Sequence, residues 1–407
     1  MSKILVYTSP ARGHLYPLIP TLEELRRRGH TVVVRTLRSE LERVRALGLA
    51  AEPISSAVED RAIDDWKMRS PPAAMLAALR TFVDRAPHEI ADVREALKSE
   101  DPDLLFTDIN CWGAAAAAEH SRRPWAVFAP YFLPLQVPGS PPFGMGLAPA
   151  SGWLGHLRDG LLWSVVNRLY NRVLPQVNAM RAEAGVDRYH RLTDFANRAP
   201  CVISYTAEPF EYPRAWPANV HLVGPGLWEP PAEEMRGNPD DRPLVLVTCS
   251  TEFQNDGALI EMALAALASE PVRVLVTTAS LDPALFKAPP KARVERFVPH
   301  GPVLQQAACV VCHGGMGITQ KALAAGVPVC VVPFGRDQLE VARHVEVAGA
   351  GTRLLPAKMT AERLRAAISR AMTLTAGAKR VAEGFRRAGG APAAASLLEG
   401  LMVGSRN

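Results

Sequence analysis

With 407 residues, 48% of them hydrophobic and 21% charged, the chain has the composition of a globular protein, which excludes global disorder. The length is too great for one typical core and suits two domains of roughly 150–200 residues each. Its 46 basic and 41 acidic residues leave a formal charge of +5, too small and too dispersed for a nucleic-acid surface, so a small anionic ligand is the better match.

Met1-Ser2-Lys3 runs straight into the strand-like Ile4 to Thr8, without the apolar core and small-residue cleavage site of a signal peptide. No apolar run approaches the roughly 20 residues that span a bilayer, so a cytoplasmic protein without membrane contact is expected. Ser9-Pro10-Ala11-Arg12-Gly13-His14 then leads to a helix whose Leu15, Leu18, Ile19, Leu22 and Leu25 keep helical spacing until Gly29; Thr31 opens the next strand. Asp103 to Thr107 predicts a strand, Gly113 to His120 an Ala-rich helix, and Trp125 to Ala129 another strand. Between about 134 and 160 the chain is rich in Pro and Gly, then takes a helical pattern through Trp153, Leu157, Leu161, Trp163, Val166, Leu169 and Tyr170.

From Glu211 to Pro243 seven prolines and Gly224-Pro225-Gly226 interrupt all apolar periodicity, as in a linker. The second half restarts with the apolar strand Leu244 to Cys249 and predicts a helix near 257–268, strands at 272–277 and 293–298, a short helix at 302–307 and a strand at 308–312. From Thr360 the pattern is helical, broken near Gly389-Gly390. Alternating strands and helices in both halves predict an α/β protein with parallel, doubly wound sheets. The expected division is a first domain over 1–215, a linker over 216–242, a second domain over 243–375 and terminal helices over 376–407.

Six cysteines lie mostly in apolar, strand-like segments, where a free thiol behaves as a small buried hydrophobe. Cys309-Val310-Val311-Cys312-His313 spells a haem-attachment pattern, but attachment needs an accessible loop and this run is β-branched and apolar. A core strand ending in a functional histidine is the better reading.

That strand leads into His313-Gly314-Gly315-Met316-Gly317-Ile318-Thr319, then Ala322-Leu323-Ala324-Ala325-Gly326-Val327-Pro328 and Pro333-Phe334-Gly335-Arg336-Asp337-Gln338. Glycines between a strand and a helix place backbone N–H groups and the positive end of a helix dipole toward an anion, the anatomy of a diphosphate site. This order of residues resembles the donor-binding signature of GT-B glycosyltransferases that use nucleotide sugars, in particular the bacterial enzymes that decorate macrolides, enediynes and aromatic polyketides. Ile318-Thr319 is spaced one residue differently from their Gly-Thr. The resemblance implies two Rossmann-like domains with parallel sheets facing a central cleft, the first for a lipophilic acceptor and the second for a TDP- or UDP-sugar. It also implies an inverting transfer to a hydroxyl without a metal ion or other cofactor, and terminal helices that cross back to the first domain.

His14 is the candidate base, because an imidazole of ordinary pKa, about 6.5, is largely neutral at pH 7, and the family has its base in this Gly-His motif. Asp108, directly after its strand, is the candidate to orient it. For the donor, His313 with the N–H groups of Gly315, Met316 and Gly317 would bind the diphosphate, helped by the hydroxyls of Ser250 and Thr251. Asp337 and Gln338 would hydrogen-bond the sugar, and the resemblance implies that Val298 and His300 lie at the nucleobase. Many relatives carry Glu where this chain has Lys321; a lysine cannot accept from ribose hydroxyls, which favours TDP over UDP. Trp66, Met75, Trp112, Phe132 and Phe143 are the expected acceptor contacts. The partners expected are thus a nucleotide sugar and a lipophilic small molecule, with a homodimer left open. Two rival readings are a nucleotide-sugar 2-epimerase of the same architecture, against which the Gly13-His14-Leu15-x-Pro17 start speaks, and a non-catalytic auxiliary protein, which should have lost His14 or the diphosphate loop.

Overall fold

The computed structural model describes residues 1–64, 67–68, 70–230, 241–250 and 257–404. Two parallel sheets organise it. The first takes β1 (Lys3–Tyr7), β2 (Thr31–Thr36), β3 (Ala50–Pro53), β4 (Leu104–Asp108), β5 (Trp125–Ala129), β6 (Val202–Ser204) and β7 (Val220–Leu222) in the order β3-β2-β1-β4-β5-β6-β7. The second takes β8 (Leu244–Thr248), β9 (Arg273–Thr277), β10 (Ala292–Glu295), β11 (Ala307–Cys312), β12 (Val329–Val331) and β13 (Gly351–Arg353) in the order β10-β9-β8-β11-β12-β13. Strands β4, β5 and β8 are buried along their whole length, as their continuous apolar runs require when helices cover both faces.

In each sheet the strand order reverses once, between β1 and β4 and between β8 and β11. Chain ends leaving neighbouring strands on opposite sides open a crevice at such a point, beyond the carboxyl ends of the strands. Ser9 to His14 and Asp108 to Asn110 leave the first sheet there; Cys249-Ser250 and His313 to Gly315 leave the second.

Three features depart from the sequence expectations. The stretch expected as a linker from 216 supplies β7, which pairs with β6 through Val202↔Val220. A helix of 30 residues, Pro71–Glu100, with Pro87 inside it, was not foreseen. It packs so closely on the helix Trp112–Ser121 that a Cβ at Gly113 would overlap the carbonyl oxygen of Ala86. The strand expected at 293–298 ends at Glu295, and the helix expected at 302–307 is His300–Leu304. At the carboxyl end the helix Gly390–Gly404 returns to the first domain. Its Ala394, Ala395, Leu398 and Met402 share a core with Leu18, Ile19, Leu22 and Leu25, and Glu399 pairs with Arg28 at 2.6 Å.

Cys309 and Cys312 are free thiols with no exposure inside β11, so the haem-attachment pattern is core packing. No helix among the described residues is long and apolar enough to cross a membrane.

One buried carboxyl group on the long helix makes stability depend on pH. Glu89 Oε2 accepts from the N–H groups of Gly113 (2.8 Å) and Ala114 (3.4 Å) at the start of the next helix. Burial pushes its carboxyl pKa up to about 8, above the roughly 4.3 of an unfolded Glu. Between these values the folded state keeps a proton that the unfolded state has released, so stability falls as pH rises through this window and levels off above it. Urea denaturation should show a loss of ~1–3 kcal/mol between about pH 5.5 and about pH 8.5. In Glu89→Gln, whose amide oxygen still accepts both N–H groups, the loss should be less than half of that.

Candidate active site

His14 lies in the short helix Arg12–Leu15 that follows β1, and Asp108 ends β4. Because β1 and β4 are neighbours in register, Tyr7↔Thr107, residues 94 positions apart in sequence meet: His14 Nδ1 is 2.8 Å from Asp108 Oδ2. Asp108 has no exposure. Its Oδ2 also accepts from Ser9 N at 3.1 Å and its Oδ1 from Asn110 N at 2.9 Å, so both oxygens are held in place. A carboxylate fixed in this way accepts a hydrogen bond from Nδ1–H, which keeps the proton on that nitrogen and leaves Nε2 as the basic one. Nε2 stands 3.5 Å from Asn110 Nδ2; the Tyr131 hydroxyl donates to Asn110 Oδ1 at 2.6 Å, and its ring packs edge-on against the imidazole with centroids 5.8 Å apart. Burial pushes the Tyr131 pKa far above its ordinary value, so the phenol stays protonated and keeps that hydrogen bond.

Across the cleft, Asp337 precedes the helix Gln338–Val347. Burial raises its carboxyl pKa, against the pull of its own backbone N–H and of the charges of Arg336 and His14. Gln338 is almost fully buried, and its Oε1 accepts from Phe334 N (2.7 Å) and Gly335 N (3.0 Å). The acceptor half of its amide is therefore spent on its own turn, which narrows the role expected of it toward a sugar.

His313 ends β11 and is 7% exposed. Gly314 turns the chain at φ of +95°, and a Cβ on Gly315 would come 2.5 Å from His313 Nε2; the imidazole therefore lies against the loop backbone where only glycine leaves room. Gly315 caps the helix Met316–Ala324, and a Cβ at Gly317 would meet nothing within 4 Å. Met316 is buried under the loop at 8% exposure. Ser250 follows β8 at the facing edge and is buried, whereas Thr251 lies outside the described residues.

Val298 is part of the second domain's core. His300 opens a short helix with Nε2 3.2 Å from Thr277 Oγ1, and burial lowers its pKa to about 4 against the pull of Glu229. Lys321 is not solvated: its Nζ is 2.9 Å from Glu229 Oε1, while Glu229 Oε2 accepts from Gly301 N at 3.0 Å. Burial would raise the Glu229 pKa, but Lys321 and the Gly301 N–H outweigh it and hold the carboxyl below its usual range.

Of the expected acceptor contacts, Phe143 packs near Tyr131 with centroids 6.0 Å apart. Met75 Cε lies 3.6 Å from where a Cβ of Gly144 would be, and Trp112 meets Phe82 edge-on at 5.4 Å. Phe132 is placed elsewhere: 1% exposed, it stacks on His344 at 3.7 Å inside the junction between the domains, and so does not line the cleft. Trp66 lies outside the described residues. Asn110, Glu229 and Glu340 were not singled out in the sequence; only Asn110, two residues after Asp108, had a positional signal. A cavity of about 480 Å³ between the 135–140 loop and the helix Gly152–Tyr170 contains none of the predicted residues. The chemistry concentrates at the two strand-order reversals instead, where titratable groups converge.

Comparison with known proteins identifies the family. Residues 261–393 match the family model described as erythromycin biosynthesis protein CIII-like, C-terminal domain. The chain is 32% identical over 387 residues to the 4'-demethylrebeccamycin synthase of Lentzea aerocolonigenes, covering 90% of this chain and 91% of that protein. It is 25% identical over 429 residues to the demethyllactenocin mycarosyltransferase of Streptomyces fradiae, covering 99% and 87%. Among solved structures, the glycosyltransferase VinC in complex with DTDP superposes with a TM-score of 0.72 at 19% identity, covering 100% of both chains. The two sheets with their facing edges are the GT-B fold, and the chain belongs to the glycosyltransferases of antibiotic and natural-product biosynthesis.

Proposed function

We propose that this glycosyltransferase moves a sugar from a TDP-sugar to a hydroxyl of a lipophilic natural-product aglycone, with inversion at the anomeric carbon and without a metal ion. The observation that carries this reading is the His14 Nδ1 to Asp108 Oδ2 contact of 2.8 Å at the edge of the first sheet, facing Asp337. His14 Nε2 takes the proton of the acceptor hydroxyl as its oxygen attacks the anomeric carbon. The bond from that carbon to the diphosphate breaks on the opposite face, and the proton remains on the imidazolium that Asp108 stabilises. The departing negative charge falls on His313 and the N–H groups at the start of the helix Met316–Ala324, which need not reorganise to receive it. The DTDP bound to VinC supports a TDP donor, as does a lysine at position 321, which cannot accept from ribose hydroxyls.

Calorimetric titration with TDP, UDP and GDP tests the donor assignment. TDP should bind most tightly, and His313→Ala should weaken it roughly 10- to 100-fold, the worth of one charge-assisted hydrogen bond. Tighter binding of UDP would overturn the TDP assignment, and equal TDP binding by His313→Ala would remove the diphosphate role of that histidine.

A further inference from the structure

The Pro- and Gly-rich segment between β5 and the helix Gly152–Tyr170 reaches across to the second domain. Gly144 N and Gly146 N both donate to Oε2 of Glu340, at 3.1 and 2.9 Å. Gly146 O accepts in turn from Arg343 Nε at 2.9 Å and Arg353 Nη1 at 3.3 Å. Gly146 has φ of +59°, and a Cβ there would come 2.7 Å from Leu339 O, so the approach of loop to helix is made backbone to backbone. Glu340 is only 3% exposed. One turn further along the same helix, His344 lies between the rings of Phe132 (3.7 Å) and Tyr212 (3.6 Å), with Nδ1 2.8 Å from Phe210 O. The helix Gln338–Val347 is thus bound to the first domain at two successive turns.

Asp337 stands immediately before this helix, and Glu340 follows three residues later, about 4.5 Å along the axis. The loop that Glu340 grips also carries Phe143, whose ring lies 6.0 Å from Tyr131, which in turn packs on His14. A buried carboxylate gripping two amide N–H groups costs desolvation that apolar packing would avoid; what it adds is one fixed geometry. Resting on the donor and acceptor sites proposed above, we propose that Glu340 is a positioning residue: it locks the acceptor loop 143–147 to the helix that presents Asp337, so that sugar in the donor site orders the acceptor side of the cleft.

Hydrogen exchange of the full chain with and without TDP-glucose, followed by mass spectrometry, reads this coupling without an acceptor. In the wild type, TDP-glucose should slow exchange in the peptide containing residues 143–147 at least about threefold. In Glu340→Ala that response should vanish while TDP-glucose affinity, measured by calorimetry, stays within about twofold of the wild type. Glu340→Gln, whose single amide oxygen can accept both N–H groups, should recover part of the response, a rescue that loss of bulk packing would not show. If Glu340→Ala does not fold, Arg343→Ala loosens the same loop through Gly146 O and should give a weaker form of the same result. A full wild-type response in the folded variants, or a wild-type loop that does not respond although TDP-glucose binds, overturns the positioning role. Failure of the wild type to bind TDP-glucose overturns the donor reading and this inference with it.

Discussion

Replacing His14 with alanine should lower kcat/KM by roughly 10²–10⁴-fold, the usual worth of a positioned general base, while leaving the affinity for TDP within about twofold of the wild type. The separation follows from where the residue sits: His14 belongs to the turn after β1, whereas His313 and the glycine loop follow β11 in the other sheet. The proposed base and the proposed diphosphate loop thus stand on different sheets, so removal of the imidazole should cost proton transfer and not donor binding. The variant should keep its fold, because the His14 side chain retains 16% exposure and its neighbour Leu15 carries the core contact. The pH dependence gives a second check. Wild-type kcat/KM should fall on the acid side as the imidazole becomes protonated, and the residual activity of His14→Ala should lack that limb. Activity within about threefold of the wild type would mean that another group takes the acceptor proton.

The two sheets were legible because fully buried parallel strands leave continuous apolar runs, such as Leu244 to Thr248, and because glycine and histidine punctuate their carboxyl ends. Short strands at the margin were not: β6 and β7 have three residues each, too few to show a period. The long helix escaped notice for a different reason. Pro71, Pro72 and Pro87 look like breaks, yet the first two occupy the opening turn, where no N–H is required, and the third is carried by packing against the helix Trp112–Ser121.

The candidate site divides along the same physical line. His14, Asp108 and His313 could be singled out because each directly follows a strand, and strand order brings such positions together. Glu229 and Glu340 act through contacts with residues 92 and 194 to 196 positions away, and a glutamate on a helix or in a proline-rich segment carries no local mark of such a partner. Phe132 was misread because an aromatic residue just after a core strand fits a ligand wall and a domain junction equally well; its stacking on His344 decides for the junction. Gln338 was only half understood, since nothing in the sequence reveals that its carbonyl closes the turn at Phe334 and Gly335.

Asp108→Asn should be nearly as damaging as loss of the base itself, with kcat lowered roughly 10²–10⁴-fold although the imidazole remains. The carboxylate accepts on both oxygens: Oδ2 from Ser9 N and His14 Nδ1, Oδ1 from Asn110 N. An amide has only one acceptor atom. If its NH₂ takes the Oδ2 position, it opposes the Ser9 N–H and donates to His14 Nδ1, which moves the imidazole proton to Nε2 and leaves no lone pair for the acceptor hydroxyl. If its oxygen takes that position, the NH₂ confronts the Asn110 N–H inside a site with no exposure, at a cost of about 1–3 kcal/mol in stability. Both orientations set two N–H groups against each other in a buried site and so cost stability; the first also abolishes the base. Denaturant unfolding compared with the wild type checks the loss of stability, and the proton-detected tautomer of His14 by NMR tells the two orientations apart. In both cases TDP affinity should be unchanged, because Asp108 acts only through the first sheet. A variant that kept kcat within about threefold would show that Asp108 serves the turn and not the imidazole.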